Sequence, residues 1–306
     1  MLSIRDLSYQ YPTGDEPALK NISFEAQSGE VLGLLGPNGA GKTTIIAHLA
    51  GLLPIQHGEI SVNQQPLARV RATQPTSIAV APQEYAFYAV LTVLENLDCF
   101  AGVGGLTGAE KQQRITASLE FAQLENYRHV RADRLSGGLK RRLNLAIAML
   151  HKPELLLFDE PTVGVDPQSR AFLLEAVKHL ALEGCTVIYT SHYMEEVEAI
   201  ADRVVILDQG QVLKSGTLHE LLADDSTELN LEVEGGNIDR LLTVLASFGS
   251  VTQLDQSAQL SLSRDQSLAE VMSAVEVAGL SVCHARFGHA NLEHVFMSLT
   301  HRNLRD

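Results

Sequence analysis

Cysteine, positive charge and long apolar runs are all scarce in this chain, and each scarcity removes a class of protein. Only Cys99, Cys185 and Cys283 occur in 306 residues. Odd in number and far apart, they predict reduced, packed thiols, not a disulfide framework or a metal site. Lys and Arg total 23 against 37 Asp and Glu, a formal charge of −14. A nucleic-acid surface needs clustered positive charge to meet phosphates, so no nucleic-acid partner is expected. No stretch approaches the roughly 18 uninterrupted apolar residues of a membrane span. The opening Met1-Leu2-Ser3-Ile4-Arg5-Asp6 lacks the basic-then-apolar layout of a secretion signal. A cytosolic chain is expected, free to dock on a membrane protein. Among the 11 histidines, His284, His289 and His294 are spaced by five. That spacing suits neither a helix face nor a familiar ligand motif, and predicts scattered surface or core histidines.

What is present is concentrated in Gly36-Pro37-Asn38-Gly39-Ala40-Gly41-Lys42-Thr43, preceded by the apolar run Val31-Leu32-Gly33-Leu34-Leu35. A buried strand, a glycine-rich loop and a helix beginning near Lys42 form the context that the G-x-x-x-x-G-K-[ST] phosphate loop requires. Glycines let backbone N–H groups turn toward phosphate oxygens, and the helix N-terminus adds a favourable dipole. Lys42 then reaches the β- and γ-phosphates, and the Thr43 hydroxyl is placed to ligate Mg²⁺. A nucleoside triphosphate is the expected ligand.

The surrounding chain reads as α/β. Residues 4–30 alternate like antiparallel strands around the turn-rich Pro12-Thr13-Gly14-Asp15. Tyr9 and Tyr11, just ahead of that turn, suit either strand packing or stacking on a purine. A helix is expected over 44–53, ended by Pro54, then strands at 58–62 and 77–81, the latter running into Pro82-Gln83-Glu84. From Leu91 to Lys152 the pattern is helical, and both Thr92-Val93-Leu94-Glu95 and Thr107-Gly108-Ala109-Glu110 have capping-box spacing. Leu135-Ser136-Gly137-Gly138 precedes Leu139, Leu143, Ala146, Ile147 and Leu150, one buried helix face. Ser136-Gly137-Gly138 reads as a capped helix start or as a second anion-binding N-terminus. Lys140-Arg141-Arg142 reads as a solvated basic face.

Leu155-Leu156-Leu157-Phe158 is a central-strand run delivering Asp159-Glu160-Pro161 at its carboxyl end, where open α/β sheets place ligands. Adjacent carboxylates there suit either a structural ion pair or a Mg²⁺ ligand (Asp159) beside a water-positioning base (Glu160). The next core strand, 185–190, delivers Ser191-His192, putting His192 in reach of a γ-phosphate. A hairpin over 204–213 closes the domain. After about Asp224 the order strand (229–233), helix (238–248), strand (251–254), strand (260–262), helix (268–278), strand (280–284) is the ferredoxin-like arrangement, with a last helix over 291–300. No catalytic constellation falls there, and a packing or dimerisation module is expected.

Together these motifs resemble the ATP-binding subunit of an ABC transporter, in motif order over residues 1–222: Tyr11, the phosphate loop, Gln83, Leu135-Ser136-Gly137-Gly138, Asp159-Glu160, Asp166 and His192. The resemblance implies a P-loop NTPase core with a mostly parallel sheet, an antiparallel β subdomain and a helical insert over about 90–152. A small C-terminal α+β extension would occupy 223–306. It implies that ATP and Mg²⁺ bind at Tyr11 (adenine stacking, with Tyr9 as fallback), residues 36–43 and Thr44. Gln83 would sense Mg²⁺ and γ-phosphate, with Thr43 and Asp159 as further metal ligands. Glu160, His192, Lys42 and Gln83 would act in hydrolysis. Ser136, Gly137 and Gly138 would serve the ATP of an opposite protomer, across a loop containing Asp166. The implied partners are a second copy or a close relative in an ATP-sandwich dimer, and polytopic membrane permease subunits at the cytoplasmic face of the inner membrane.

Two departures stand out: Leu139 where the signature commonly has Gln, and Val163-Gly164-Val165-Asp166 in place of the commoner Ser/Gly-Leu-Asp loop. Leu-Ser-Gly-Gly-apolar-Lys-Arg-Arg and the ending Asn291-Leu292-Glu293-His294-Val295-Phe296-Met297 are similar to the branch serving multidrug and antibiotic exporters. An importer ATPase and a soluble ABC ATPase in a non-transport role are the alternatives. A kinase or GTPase would leave the signature, Gln83 and His192 unexplained. An inactive regulatory subunit would not have every catalytic position filled.

Overall fold

The computed structural model describes residues 1–222, 227–234, 237–254, 257–262, 267–289 and 291–300. They fall into two compact units, one over Met1–Leu218 and one starting at His219.

Period-two alternation builds the start of the first unit. Strands β1 (Leu2–Tyr9) and β2 (Leu19–Ala26) pair antiparallel, Ile4 opposite Phe24 and Leu7 opposite Ile22, all four buried. Strand β3 (Val31–Leu35) is buried throughout and leads through the glycine loop into helix α1 (Lys42–Leu49). This helix starts at Lys42, where the phosphate loop leads into it, and stops at Leu49, short of the expected 53, because Gly51 takes the left-handed φ of 75° ahead of Pro54. Strands β4 (His57–Val62) and β5 (Gln65–Pro66) complete a four-stranded sheet in the order β2-β1-β4-β5. Helix α2 (Leu67–Thr73) buries only Leu67 and Val70, too short a repeat to register as periodicity.

Strand β6 (Ile78–Ala81) is followed by helices α3 (Val93–Val103), α4 (Gly108–Phe121) and α5 (Gly137–Met149). Leu97, Ala101, Ile115, Leu119, Leu143 and Ala146 close a separate core among them. The capping box at Thr92 is complete: its hydroxyl accepts from Glu95 N at 3.2 Å and its N–H donates to Glu95 at 2.7 Å. The box expected at Thr107 does not form. A cap oxygen reaches the third amide only across helical residues, and Gly108 has φ of 56°.

Strand β7 (Leu155–Asp159), helix α6 (Pro167–Leu182), strand β8 (Thr186–Ser191), helix α7 (Met194–Ile200), strands β9 (Arg203–Asp208) and β10 (Gln211–Thr217) and helix α8 (Leu218–Leu222) follow. The main sheet runs β10-β9-β3-β8-β7-β6, parallel except for β10. Strands β3, β7 and β8 are buried at every position, which explains the unbroken apolar runs of β3 and of Leu155 to Phe158 in β7. Register sets Leu35 beside Ser191 and Asp159 beside Thr190. The residues that follow β3, β7 and β8 therefore leave the sheet side by side.

In the second unit strand β11 (Thr227–Val233), helix α9 (Ile238–Leu245), strands β12 (Ser250–Leu254) and β13 (Ser257–Leu262), helix α10 (Leu268–Val277), strand β14 (Val282–His289) and helix α11 (Leu292–Thr300) occur in chain order. The sheet order β12-β13-β11-β14, all antiparallel, is ferredoxin-like, over a core including Leu229, Leu231, Leu245, Leu260 and Val271. Strand β14 runs on to His289, past the expected 284, because it stays paired with β11 as far as Thr227. It is an edge strand, and this corrects one expectation: Cys283 is exposed, whereas Cys185 is buried and Cys99 half-buried, all three free. His284 is exposed, and the side chains of His289 and His294 lie outside the described residues. Among the described residues no helix is long and apolar enough to cross a membrane.

Candidate active site

The three neighbouring strand ends bring Lys42, Thr43, Asp159, Glu160 and His192 together. Helix α1 begins at a left-handed Gly41, φ 105°, with no side-chain cap and no acid in its first turn. Its first amides are thus left to an anion. Lys42 is buried, and its Nζ donates to the carbonyls of Gly36 (2.7 Å) and Pro37 (3.1 Å) and lies 3.4 Å from Glu160 Oε1. Burial pushes the Lys42 ammonium below its ordinary range, and the Glu160 charge opposes that shift. Asp159 Oδ1 accepts from Thr190 Oγ1 at 2.9 Å and from Thr43 Oγ1 at 3.4 Å. Burial raises the Asp159 carboxyl above the usual range, and the charge of Glu160 adds to it. Thr43 itself is exposed.

Glu160 adopts φ of 46°, a left-handed backbone unusual for a side chain of this size. Its N–H donates to both Thr190 O (3.2 Å) and Thr190 Oγ1 (3.0 Å). So tethered, its carboxylate faces Lys42 through one oxygen and lies 3.5 Å from His192 Nδ1 through the other. A carboxylate beside a buried cation at the carboxyl edge of a parallel sheet lies where ligands of such sheets bind, and a carboxylate can accept a proton.

A cavity of about 260 Å³ lies over this cluster, lined by Tyr11, Pro37, Asn38, Gly39, Gly41, Lys42, Thr43, Thr44 and Glu160, among others. Ala40 is buried behind the loop. Tyr11 is 40% exposed and its hydroxyl is 3.2 Å from Thr44 Oγ1. Tyr9 is buried edge-on between Tyr11 and His48, with no free face to offer a base. The fallback at Tyr9 is therefore excluded by packing.

Gln83, Ser136, Gly137, Gly138 and Asp166 do not line that cavity. Ser136 caps α5, its Oγ accepting from Leu139 N at 3.3 Å, and Ser136 and Gly137 are exposed. Asp166 caps α6, accepting from Ser169 N at 2.9 Å, and that bond holds its carboxyl below the usual range. Gly138 packs against the same turn: a Cβ there would lie 1.9 Å from Ser169 Oγ and 3.0 Å from Asp166 Oδ2. The start of α5 and the Asp166 turn thus pack on each other, and neither contributes to the lining of the phosphate-loop cavity. Gln83 is exposed.

Two groups went unread in the sequence. The basic run is not a solvated face: Arg141 is buried, Arg142 lies 3.8 Å over the Phe172 ring, and Lys140 lies 5.6 Å over Tyr85. Arg141 falls off the apolar stripe of α5, so periodicity assigns it to solvent although backbone carbonyls receive it. Glu196 is also buried, its Oε2 accepting from Thr162 (2.8 Å), Tyr189 (2.9 Å) and Ser191 (3.0 Å), and its Oε1 3.3 Å from Arg170 Nε. Set among Glu195 and Glu198, it carries no local signal of burial.

Residues 19–163 match the ABC transporter family model. Over its whole length the chain is 39% identical to the linearmycin resistance ATP-binding protein LnrL of Bacillus subtilis, covering 100% of both. This chain belongs to the ABC transporter family. It is 34% identical to the Nod factor export ATP-binding protein I of Cupriavidus metallidurans, covering 100% of this chain and 99% of the relative. The solved ATP-binding subunit of an ABC transporter is similar at 32% identity and a TM-score of 0.66, over 73% of this chain and 92% of that one. A dimeric ATP-binding cassette bound to ADP and Pi is similar at 26% identity and a TM-score of 0.63, over 71% and 99%. The chain is an ABC-type ATP-binding subunit with a P-loop NTPase fold, and an ATPase.

Proposed function

We propose that this chain drives export through separate membrane subunits, with ATP held between its phosphate loop and the signature of a second copy or a close relative. The observation that carries this reading is that the two sets of residues do not share one cavity. Lys42, Thr43, Asp159, Glu160 and His192 meet in one cluster, while Ser136, Gly137 and Gly138 are absent from the lining of the cavity beside it. A γ-phosphate needs donors on more than one side, and the second set would come from another protomer.

In this reading residues 36–43 and Thr44 hold the phosphates, Tyr11 offers its exposed ring to the adenine, and Glu160 takes the proton of the attacking water. His192 steadies Glu160 and the phosphate, and Gln83 senses the metal and the membrane partner. The donor set fits Mg²⁺: Thr43 Oγ1 and Asp159 Oδ1 are hard oxygens 3.4 Å apart, and among the described residues no three His, Cys, Asp or Glu gather to make a self-sufficient metal site. Such an ion would share its shell with the phosphates and neutralise their charge. The resistance and export functions in the relatives' names support export over import, and the partners would place the chain at the cytoplasmic face of the inner membrane. The boundary between cassette and extension is proposed near 222.

Glu160→Gln tests the reading. It should bind ATP, lose about 10²–10³-fold in turnover, and elute as a dimer only with ATP. Hydrolysis at the parent rate would remove Glu160 as the base. A monomer at saturating ATP would remove the shared site.

A further inference from the structure

Arg141 is a buried side chain that touches two of the candidate segments from a third. It stands on α5, five residues after Ser136. Its Nη1 donates to the carbonyls of Pro82 (3.3 Å) and Gln83, and its Nη2 reaches Val163 O at 3.5 Å. Val163 follows Glu160 by three residues and precedes Asp166 by three. Asn144, one helical turn on, presents the same face: its Nδ2 donates to Pro82 O (3.4 Å) and Glu84 O (3.2 Å), and its Oδ1 accepts from Ala86 N (3.1 Å). The Tyr85 ring lies 5.0 Å from the Arg141 guanidinium. Gln83 is thereby fixed through its main chain while its side chain stays exposed. A forked guanidinium can satisfy carbonyls from two segments at once, which a single ammonium point cannot.

We infer that Arg141, seconded by Asn144, is a positioning residue that makes the signature helix, the Gln83 segment and the loop between Glu160 and Asp166 move as one block. This rests on the reading of Gln83 and Glu160 given above. A signature engaged by a partner's nucleotide would then shift Gln83 and the Glu160 loop together, so that closure and hydrolysis are coupled mechanically. A small displacement of a positioned group costs far more in turnover than in ground-state binding.

The experiment is a double-mutant cycle on the purified full chain, reading kcat and KM for ATP and nucleotide affinity separately. Arg141→Met keeps the aliphatic bulk and removes the fork. It should bind ATP within about threefold of the parent while kcat falls roughly 10- to 100-fold. Added to Gln83→Ala, it should cost no more than about a further twofold, because both act through one element. Multiplicative losses overturn the inference, as does a kcat for Arg141→Met equal to the parent's. Should Arg141→Met fail to fold, Asn144→Ala takes its place in the same cycle, with the same non-additivity expected and multiplicative losses again overturning it. If Gln83→Ala alone leaves kcat unchanged, the assignment of Gln83 falls and the inference with it. If Gln83→Ala is slow and the cycle is additive, only the inference falls.

Discussion

Removing the Glu196 carboxylate is the perturbation whose effect follows most directly from contacts. Thr162, Tyr189 and Ser191 all donate to its Oε2, and none of the three is more than 1% exposed. In Glu196→Ala, Ser191 keeps one partner, because its Oγ also accepts from Tyr193 N at 2.9 Å. Thr162 and Tyr189 are left as buried hydroxyls without an acceptor, at about 1–3 kcal/mol each. Arg170 is 38% exposed, so its guanidinium keeps access to water although the Nε that faces Glu196 is buried. The expected loss is about 3–4 kcal/mol, a large share of the ~5–15 kcal/mol that holds a domain folded. Glu196→Gln retains a carbonyl acceptor for the hydroxyls but loses the charge and the pair with Arg170, so a smaller loss of about 1–2 kcal/mol is expected. The chain has no tryptophan, so urea unfolding is best followed by circular dichroism. A loss below about 1 kcal/mol in Glu196→Ala would show that the hydroxyls find other acceptors, and the hub would not be structural.

Two further outcomes follow from the burial of ionisable groups. The folded-state pKa of Asp159 is raised, so the native chain binds more protons than the unfolded one between the two values, and Asp159 loses stability for the fold as pH rises through that window. Asp159→Asn should therefore melt higher than the parent in calorimetry without nucleotide at neutral pH; a lower melting temperature would contradict this. Cys185 is pushed up to about 12 by burial, so its thiol stays protonated at pH 8 and should resist alkylation until the chain is denatured. Exposed Cys283 should label in the folded protein, and equal labelling of the two on mass spectrometry would refute the packing around Cys185.

The parallel core and the phosphate loop were legible because fully buried strands leave unbroken apolar runs, as at Leu155-Leu156-Leu157-Phe158, and because strand, glycines and Lys-Thr occur together. The ferredoxin-like unit was legible from alternation and turn spacing alone. Arg141 and Glu196 were not. Arg141 meets Gln83 and Glu196 meets Thr162 across long stretches of chain, and a polar side chain satisfied in that way has no periodic trace. Tyr9 closes β1 and is buried, while Tyr11 lies just past the strand end and is exposed, a difference in depth that shows only once the sheet is assembled. The failed cap at Thr107 has the opposite cause: the spacing was right and one backbone angle was not.

The left-handed turn at Glu160 has a consequence for how this protein is silenced in the laboratory. A side chain other than Gly, Asn or Asp at φ 46° carries a backbone strain of about 1 kcal/mol or more, whatever its charge. Gln and Ala substitutions inherit that strain and so isolate the loss of the carboxylate. A Gly substitution releases it, and would return a sturdier resting protein whose loop is freer to wander from Thr190. Such a variant would confound chemistry with mechanics, and two inactive proteins that look equivalent in an ATPase assay would answer different questions about closure.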